Sequence, residues 1–206
     1  MWYVLDAEPG AYLYCGLSRA SSKEEIEERI KNNTITEILN KIEVKKGDVV
    51  MVKAGTIHAI GAGIFICEIQ QNSNCTYRMY DYDRRDKFGN PRELHIAKSL
   101  DVVNPVKYEK DNKCNVMLTH NEHYMSKRLV QCKYFEVIKY EIEDEAKIPV
   151  DEASFLSVIV IDGEGTFMTD DNDKELKLKA GESFFINAGK RNVVVNGRST
   201  CIITHV

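Results

Sequence analysis

The sequence has no apolar run near the roughly 20 residues that a membrane-spanning helix requires, and it has no excess of basic residues. Its 28 lysines and arginines are outnumbered by 32 aspartates and glutamates, which gives a formal net charge of −4. Nucleic acid and anionic membrane surfaces are therefore not expected partners. The opening Met1–Glu8 contains acids but no basic residue, which is not the pattern of a secretory signal peptide.

The sequence also lacks the cysteine spacings of a metal or redox motif, with no Cys-x-x-Cys and no close pair. The six cysteines are scattered along the chain: Cys15, Cys67, Cys75, Cys114, Cys132 and Cys201. Without a secretion signal, this pattern indicates reduced thiols that mostly fill a core, and not a disulfide framework. We therefore expect a cytoplasmic protein.

The remaining composition is that of an ordinary globular protein, at 43% hydrophobic and 29% charged residues. A chain of 206 residues can form one large domain or two small ones, and either has enough length for a substantial core.

Most of the chain has the pattern of short β-strands separated by turns. The runs Trp2–Leu5, Ala11–Cys15 and Ile64–Ile69 are rich in β-forming residues, and Thr76–Tyr82 alternates in the way a strand does. Similar runs recur at regular spacing from Leu129 to the end of the chain. This pattern predicts a small antiparallel barrel or sandwich.

Two regions have helical spacing. A helical insertion is predicted at about residues 21–40, and a further helix at 93–103. The insertion contains two capping-box signatures, Ser21 with Glu24 and Thr34 with Glu37.

The stretch Lys46–Gly61 has the strongest functional signal. A run of β-forming residues, Val49–Val52, leads into Ala54-Gly55, a pair suited to a tight turn. The turn is followed by His58, which stands between small and apolar neighbours. We predict that the turn directs this imidazole into a barrel interior, where a metal or substrate could bind; the alternative is an ordinary core or turn histidine.

This stretch has a second copy at residues 179–194. Both copies have a glycine followed by an acid, four β-forming residues, one variable residue, Ala-Gly and then a polar side chain, which is His58 in the first copy and Asn192 in the second. About 135 residues separate the copies, which indicates a duplicated domain and not a repeat array. We predict a first domain at 1–105, a crossing segment at 106–127 and a second domain at 128–206.

Two further residues are candidates for the site. Arg78 lies on the predicted strand 76–82, and a buried arginine there would need an anion; the alternative is a surface ion pair. Glu68 shares a strand face with Ile64 and Ile66, where a carboxylate could transfer a proton; the alternative is a strand end at a solvent-exposed rim. His120 and His123 have a spacing that suits a metal on a helix, but no third ligand is near, and we interpret the spacing as coincidence.

Several motifs together resemble a known family. Gly47-x5-Lys53-Ala54-Gly55-x2-His58 resembles the second motif of the cupin barrels, and the second copy is similar without the histidine. Longer segments resemble the short bacterial form of the type I mannose-6-phosphate isomerases: Ala54–Gly61, Glu68–Ser73, Thr76–Arg84 and Pro91–His95. The opening Trp2–Ala7 is also similar, so the resemblance covers essentially the whole chain.

The resemblance implies two cupin-like β-barrels, the first carrying the metal-site remnant and the helical insertion, and the second without metal ligands. It implies that His58 is a zinc ligand, that Arg78 contacts a substrate near the metal and that Glu68 is a carboxylate of the same cavity. The implied reaction is the zinc-dependent interconversion of mannose 6-phosphate and fructose 6-phosphate through an enediol.

The sequence departs from the family in one respect. The family's other zinc ligands, in a Gln-x-His motif and a glutamate, precede the Trp-Tyr stretch, so the chain is expected to correspond to the C-terminal two-thirds of the family protein. One histidine does not provide the three protein ligands of a usual catalytic zinc site. Two alternatives therefore stay open: a non-catalytic cupin that binds a sugar phosphate or has a structural role, and one half of a split isomerase that a separate chain completes.

Overall fold

The computed structural model describes residues 1–110, 115–170, 172–189 and 191–206. The chain folds into two compact units, a first unit of Met1–Lys110 and a second unit of Asp111–Val206. No helix in the described chain combines the length and the apolar character needed to cross a membrane.

The first unit, all of which is described, contains six strands, two α-helices and one turn of 3-10 helix. Their order is β1 (Trp2–Ala7), β2 (Tyr12–Leu17), α1 (Lys23–Lys31), the 3-10 turn (Ile35–Glu37), β3 (Leu39–Glu43), β4 (Val49–Val50), β5 (His58–Ile60), β6 (Ile64–Glu68) and α2 (Ile96–Val102). The strands form two three-stranded antiparallel sheets, β4-β1-β6 and β3-β2-β5.

The registers of these sheets bring the site segments together. Trp2 on β1 lies opposite both Val50 on β4 and Glu68 on β6, and Cys15 on β2 lies opposite His58 on β5. Their inner faces supply a common core of buried side chains: Trp2, Val4, Leu13, Cys15, Val44 and Val50. This core fixes the strand that ends at Glu68 and the strand that begins at His58.

The helical insertion forms where the sequence predicts it, with different ends. Ser22, and not Ser21, caps α1, because its side chain accepts a hydrogen bond from the Glu25 amide at 3.1 Å. Ile26 and Ile30 form the buried stripe of the helix. The second predicted helix is a single 3-10 turn, and the chain re-enters a strand at Leu39.

The predicted strand at Thr76–Tyr82 is wrong. This segment is irregular, and its backbone groups bond to the start of α2 and not to a neighbouring strand: Arg78 O accepts from the His95 amide at 2.7 Å. Tyr82 and Asp83 then take left-handed φ angles of 55° and 51°, which turn the chain sharply. Arg78 therefore lies in an irregular segment and not on the predicted strand.

The described part of the second unit contains nine strands. They are β7 (Val116–His120), β8 (Tyr124–Gln131), β9 (Glu136–Ile142), β10 (Glu145–Val150), β11 (Leu156–Thr169), β12 (Asn172–Lys179), β13 (Ser183–Ile186), β14 (Arg191–Asn196) and β15 (Ser199–His205). The order β10-β14-β11-β15-β9-β8-β7 forms the main path, and β12 and β13 both pair with β11.

The long strand β11 organises this unit. It pairs with β13 at its start and with β15 as far as Gly163, across a register shift between Val160 and Asp162, and then continues along β12 and β14. Buried residues from both halves, including Val158, Val160 and Phe167, pack in one core. Residues 106–127, predicted to cross between domains, include β7 and the start of β8, whose polar and charged residues made the strand pattern weak.

Five of the six cysteines lie in the described chain, and all five are free thiols. Cys15 and Cys201 are buried core residues, and burial raises the pKa of each thiol to about 11. Cys67 and Cys132 are half-buried and Cys75 is exposed, while Cys114 lies outside the described residues. The two raised pKa values keep these core thiols protonated and unreactive at neutral pH.

Candidate functional site

The first unit contains a cavity of about 600 Å³, which lies between β5, the irregular segment after β6 and α2. Two of the three predicted site residues, His58 and Arg78, line it. Three charged residues that the sequence analysis did not select also line it: Asp81, Arg84 and Arg92. Glu68 is not among the lining residues.

A tight turn delivers His58 to the cavity. Gly55 has a φ of 78°, and a Cβ at this position would lie 2.6 Å from the backbone oxygen of Val102, so only glycine fits without a shift. The His58 Nδ1–H then donates to the Thr56 carbonyl at 2.8 Å. In a neutral ring held this way the lone pair lies on Nε2, which is the orientation seen in histidines that bind metals.

Glu68 lies at the exposed end of β6. Its Oε1 accepts a hydrogen bond from Trp2 Nε1 at 2.9 Å, and the edge of the Trp2 ring lies against the His58 ring with centroids 5.4 Å apart. Trp2 thus links the carboxylate to the histidine. The Glu68 side chain lies at a solvent-exposed strand end, which is the alternative that the sequence analysis gave for this residue.

Arg78 is half-buried in the cavity wall. Its Nη1 donates to the Glu93 carbonyl at 3.2 Å, so in the described structure the guanidinium bonds to a carbonyl oxygen and not to a carboxylate. The Arg78 guanidinium is therefore bonded neither to the Glu68 carboxylate nor in the surface ion pair that was the alternative prediction. The remaining guanidinium hydrogens can be offered to a ligand.

Asp81 forms the centre of a charged cluster. Its buried carboxylate accepts two hydrogen bonds from Arg92, one of them from Nε at 2.7 Å. The bonds from Arg92, with the nearby charges of Arg84 and Arg78, hold the pKa of Asp81 below its usual value. The charged residues that line the cavity are therefore three arginines and one aspartate, a net charge of +2 in a chain whose net charge is −4.

Aromatic side chains form another part of the cavity wall. The rings of Tyr80 and Tyr82 lie 4.9 Å apart, and the Arg84 guanidinium lies 5.1 Å from the Tyr82 ring centre. The left-handed turn at Tyr82 and Asp83 places Arg84 here. Two tilted aromatic rings beside arginines suit a ligand with both a polyol chain and an anionic group.

The residues present do not by themselves fit a zinc ion. Among the described residues, no three His, Cys, Asp or Glu side chains are grouped so that they could hold a metal ion. His58 offers one nitrogen, and a catalytic zinc site usually has three protein ligands. His120 and His123 do not provide a second site, because they lie on and after a strand and His123 Nδ1 bonds to Asp144 at 3.0 Å.

Comparison with protein families gives a direct match. Residues 125–206 match the model described as the cupin domain of mannose-6-phosphate isomerase. The mannose-6-phosphate isomerase ManA of Bacillus subtilis is 34% identical over 205 residues, which is 100% of this chain and 63% of the relative. The mannose-6-phosphate isomerase of Streptococcus mutans is 40% identical over 164 residues, or 80% of this chain and 50% of the relative.

Solved structures give the same result. The crystal structure of mannose 6-phosphate isomerase from Bacillus subtilis matches all of this chain and 63% of its own length, with a TM-score of 0.89 and 35% identity. A phosphomannose isomerase mutant from Salmonella typhimurium, at 13% identity and a TM-score of 0.71, shares the fold. These matches confirm the predicted, mostly β cupin fold. The chain spans about 63% of the length of its Bacillus relatives, corresponds to their C-terminal part and is similar to mannose-6-phosphate isomerases over all of its own length.

Proposed function

We propose that this chain carries the sugar-phosphate-binding part of a mannose-6-phosphate isomerase, an aldose–ketose isomerase of the cytoplasm. The observation that carries the proposal is the first-unit cavity, which has a net charge of +2 and is lined by His58 and Arg78. A sugar phosphate carries a charge near −2 at neutral pH, so the cavity complements it. The similarity of the whole chain to a curated mannose-6-phosphate isomerase supports the same substrates, mannose 6-phosphate and fructose 6-phosphate.

The reaction requires a proton to move between C1 and C2 of the open-chain sugar through an enediol. In this proposal Arg78, whose outward guanidinium hydrogens are available, donates to substrate oxygens and holds the chain of the sugar in place. Glu68 is proposed as a carboxylate of the completed site. Its link to His58 through Trp2 supports this assignment.

Zinc is the metal we propose for the complete site, with His58 Nε2 as one ligand. Such an ion would supply Lewis-acid stabilisation of oxygen charge. Because the described residues offer only this one nitrogen, the other ligands would lie outside them. The roles given to Arg78 and Glu68 do not depend on where those ligands come from.

The direct test is a coupled assay that follows fructose 6-phosphate formed from mannose 6-phosphate, with the purified chain and added Zn²⁺. A working site predicts turnover that is lost on chelation and in His58→Ala. The matched control is Asn192→Ala, which changes the equivalent position of the second copy and should retain turnover. An absence of turnover at every zinc concentration would confine catalysis to a longer or complemented protein.

A second candidate is a non-catalytic sugar-phosphate-binding protein, and the incomplete metal set favours it. It predicts that mannose 6-phosphate raises the melting temperature in the presence of chelator, because ligand binding adds RT ln(1 + [L]/Kd) to the free energy of unfolding. Mannose, which lacks the phosphate, is the matched control ligand and should have little effect. If neither sugar phosphate shifts the melting temperature, binding by this chain alone is contradicted.

A split isomerase is the third candidate, since the relatives extend well beyond the matched region. It predicts that the chain co-purifies with a polypeptide that carries a Gln-x-His motif and that mixing the two restores zinc-dependent turnover. Recovery of the native protein as a single polypeptide that turns over substrate would count against it.

A further inference from the structure

Three hydrogen bonds tie Arg78 to the short segment Glu93–His95. The Arg78 amide donates to His95 Nδ1 at 3.3 Å, and the His95 amide donates to the Arg78 carbonyl at 2.7 Å. The third bond joins the guanidinium Nη1 to the Glu93 carbonyl at 3.2 Å. The backbone and the head group of this arginine are therefore held by two residues of the same short segment, His95 and Glu93.

The first of these bonds fixes the state of the imidazole. A backbone amide can only donate, so His95 Nδ1 must be the acceptor and must carry no proton. The ring is then neutral, with its hydrogen on Nε2. The Nε2–H faces the exposed Glu93 carboxylate, whose Oε2 lies 3.7 Å away, and the Tyr77 ring lies 6.3 Å from the imidazole between centroids.

The start of α2 makes this arrangement rigid. His95 precedes the first helical residue, and its carbonyl accepts the Ser99 amide at 2.8 Å. The Ser99 hydroxyl, in turn, donates to the Tyr77 carbonyl at 3.3 Å. Residues 77 and 78 have no strand partner, so these bonds to α2 take the place of a sheet ladder in fixing the cavity wall.

We propose that His95, in its Nε2–H form, is a positioning residue that holds Arg78 against the sugar phosphate. This inference rests on the proposed function, because it takes Arg78 to be the arginine that contacts the ligand. Loss of the Nδ1 acceptor leaves a half-buried amide unpaired and lets the Arg78 backbone move. A displacement of about 1 Å at a binding group can reduce kcat/KM by about 100-fold.

Two substitutions separate this role from simple packing. His95→Asn places an amide oxygen near the position of Nδ1 and can still accept the Arg78 amide. His95→Gln places its polar group near Nε2 instead and leaves only a methylene at the Nδ1 position. The matched control is His120→Gln, an exposed position on β7 of the second unit.

The first readout is the affinity for fructose 6-phosphate, measured by calorimetry. Steady-state kinetics are added for any form of the protein that turns over substrate. His95→Gln should weaken binding by about 10- to 100-fold, with the loss in KM more than in kcat, since Arg78 contacts substrate and transition state alike. His95→Asn should stay within about threefold of the wild type, a difference of less than 0.7 kcal/mol. Equal losses in the two variants would overturn the proposal.

The second readout is independent of activity. Nitrogen-15 spectra of the wild-type imidazoles, with the His95 signals assigned by their absence in His95→Asn, should show an unprotonated Nδ1 and a protonated Nε2 at pH 7.5. The Arg78 amide resonance should move in His95→Gln and stay in place in His95→Asn. A His95 ring protonated at Nδ1, or an Arg78 amide resonance that moves in neither variant, would overturn the proposal even if sugar phosphates bind. If the spectra agree but fructose 6-phosphate does not bind the wild type, the proposed function fails instead.

Discussion

The two copies of the Gly-acid turn have the same backbone conformation, but the side chain that follows each turn makes different contacts. Gly47 and Gly181 both have a φ of 91°. The Asp48 carboxylate accepts the Lys45 amide at 2.9 Å in the first unit, and the Glu182 carboxylate accepts the Lys179 amide at 3.0 Å in the second. This turn is therefore a structural device that works without a ligand.

The copies diverge after the second glycine. In the first, Gly55 packs on the backbone of Val102 and leads to His58, whose ring presents Nε2 at the cavity. In the second, the backbone N–H and the side-chain Nδ2 of Asn192 both donate hydrogen bonds to the Asp170 carboxylate, at 2.8 Å and 2.6 Å. The same turn thus ends in a cavity-lining side chain in one unit and in an internal hydrogen bond in the other.

The largest expected effect is the change in the free energy of unfolding when the second glycine of each turn is substituted. Gly55→Ala combines a left-handed φ with a clash against backbone, and we expect it to destabilise the protein by about 2–4 kcal/mol. Gly189→Ala is the matched control, since its Cβ would meet only the mobile end of the Arg191 side chain and its φ is not left-handed. Urea unfolding of both variants measures the difference, and equal losses would contradict this account of the first turn.

The next effect concerns the charge that only the first unit gathers around its cavity. Arg84→Gln lowers the net charge of the cavity lining from +2 to +1. We expect the dissociation constant for fructose 6-phosphate to rise about tenfold, the usual scale for one charged hydrogen bond. Arg198→Gln in the second unit is the control, and calorimetry should find its affinity unchanged. If both variants bind equally, the cavity is not where the phosphate binds.

A smaller effect should appear in the pH dependence of stability. The pKa of Asp81 is lowered by Arg92, and the pKa of Asp170 is lowered by bonds from Asn192. A lowered folded pKa gives stability that is present above about pH 4, the unfolded value, and is lost as the pH falls through the folded pKa. Asp81→Asn and Asp170→Asn should each flatten the loss of stability between pH 5 and pH 2, as measured by urea midpoints. Only Asp81→Asn should also change fructose 6-phosphate binding at pH 7, because Asp81 lines the cavity and Asp170 does not.

The smallest expected effect tests whether the second turn can be converted into the first. Asn192→His restores the histidine of the motif but removes the side-chain bond to Asp170, which is exposed to solvent. We expect a small fall in melting temperature and no tight zinc binding, because the new histidine and Asp170 would supply two ligands and no group of three is available in the described chain. Tight zinc binding by this variant would show that the turn alone creates a metal site.

The sequence predicts the repeated turn well because its residues act locally. Glycine, the acid and the β-forming run each have a strong preference, and the structure has the same hydrogen bonds in both copies. The strand ends at Trp2 and Glu68 are likewise close to prediction. Their pairing with one another depends on contacts 66 residues apart, which local patterns do not encode.

The cavity wall was harder to predict. Thr76–Tyr82 alternates like a strand, yet tertiary bonds to His95 and Ser99 override that preference. Arg84 and Arg92 lie in a charged loop that looks solvated in the sequence. Arg92 reaches the cavity because Asp81, 11 residues away, is buried and needs a cation, whereas the left-handed turn at Tyr82 and Asp83 places Arg84 there. That requirement becomes visible only when the burial of Asp81 is known.

Trp2 is the sole tryptophan in the chain, and its position makes it a built-in optical probe. The indole is 2% exposed, donates to Glu68 and lies edge-on against His58, so its emission is governed by these two neighbours. A protonated imidazole quenches indole fluorescence, and a change in the carboxylate alters the hydrogen bond at Nε1. Emission spectra can therefore follow metal addition, ligand binding and acidification at this corner of the first unit, with no label attached.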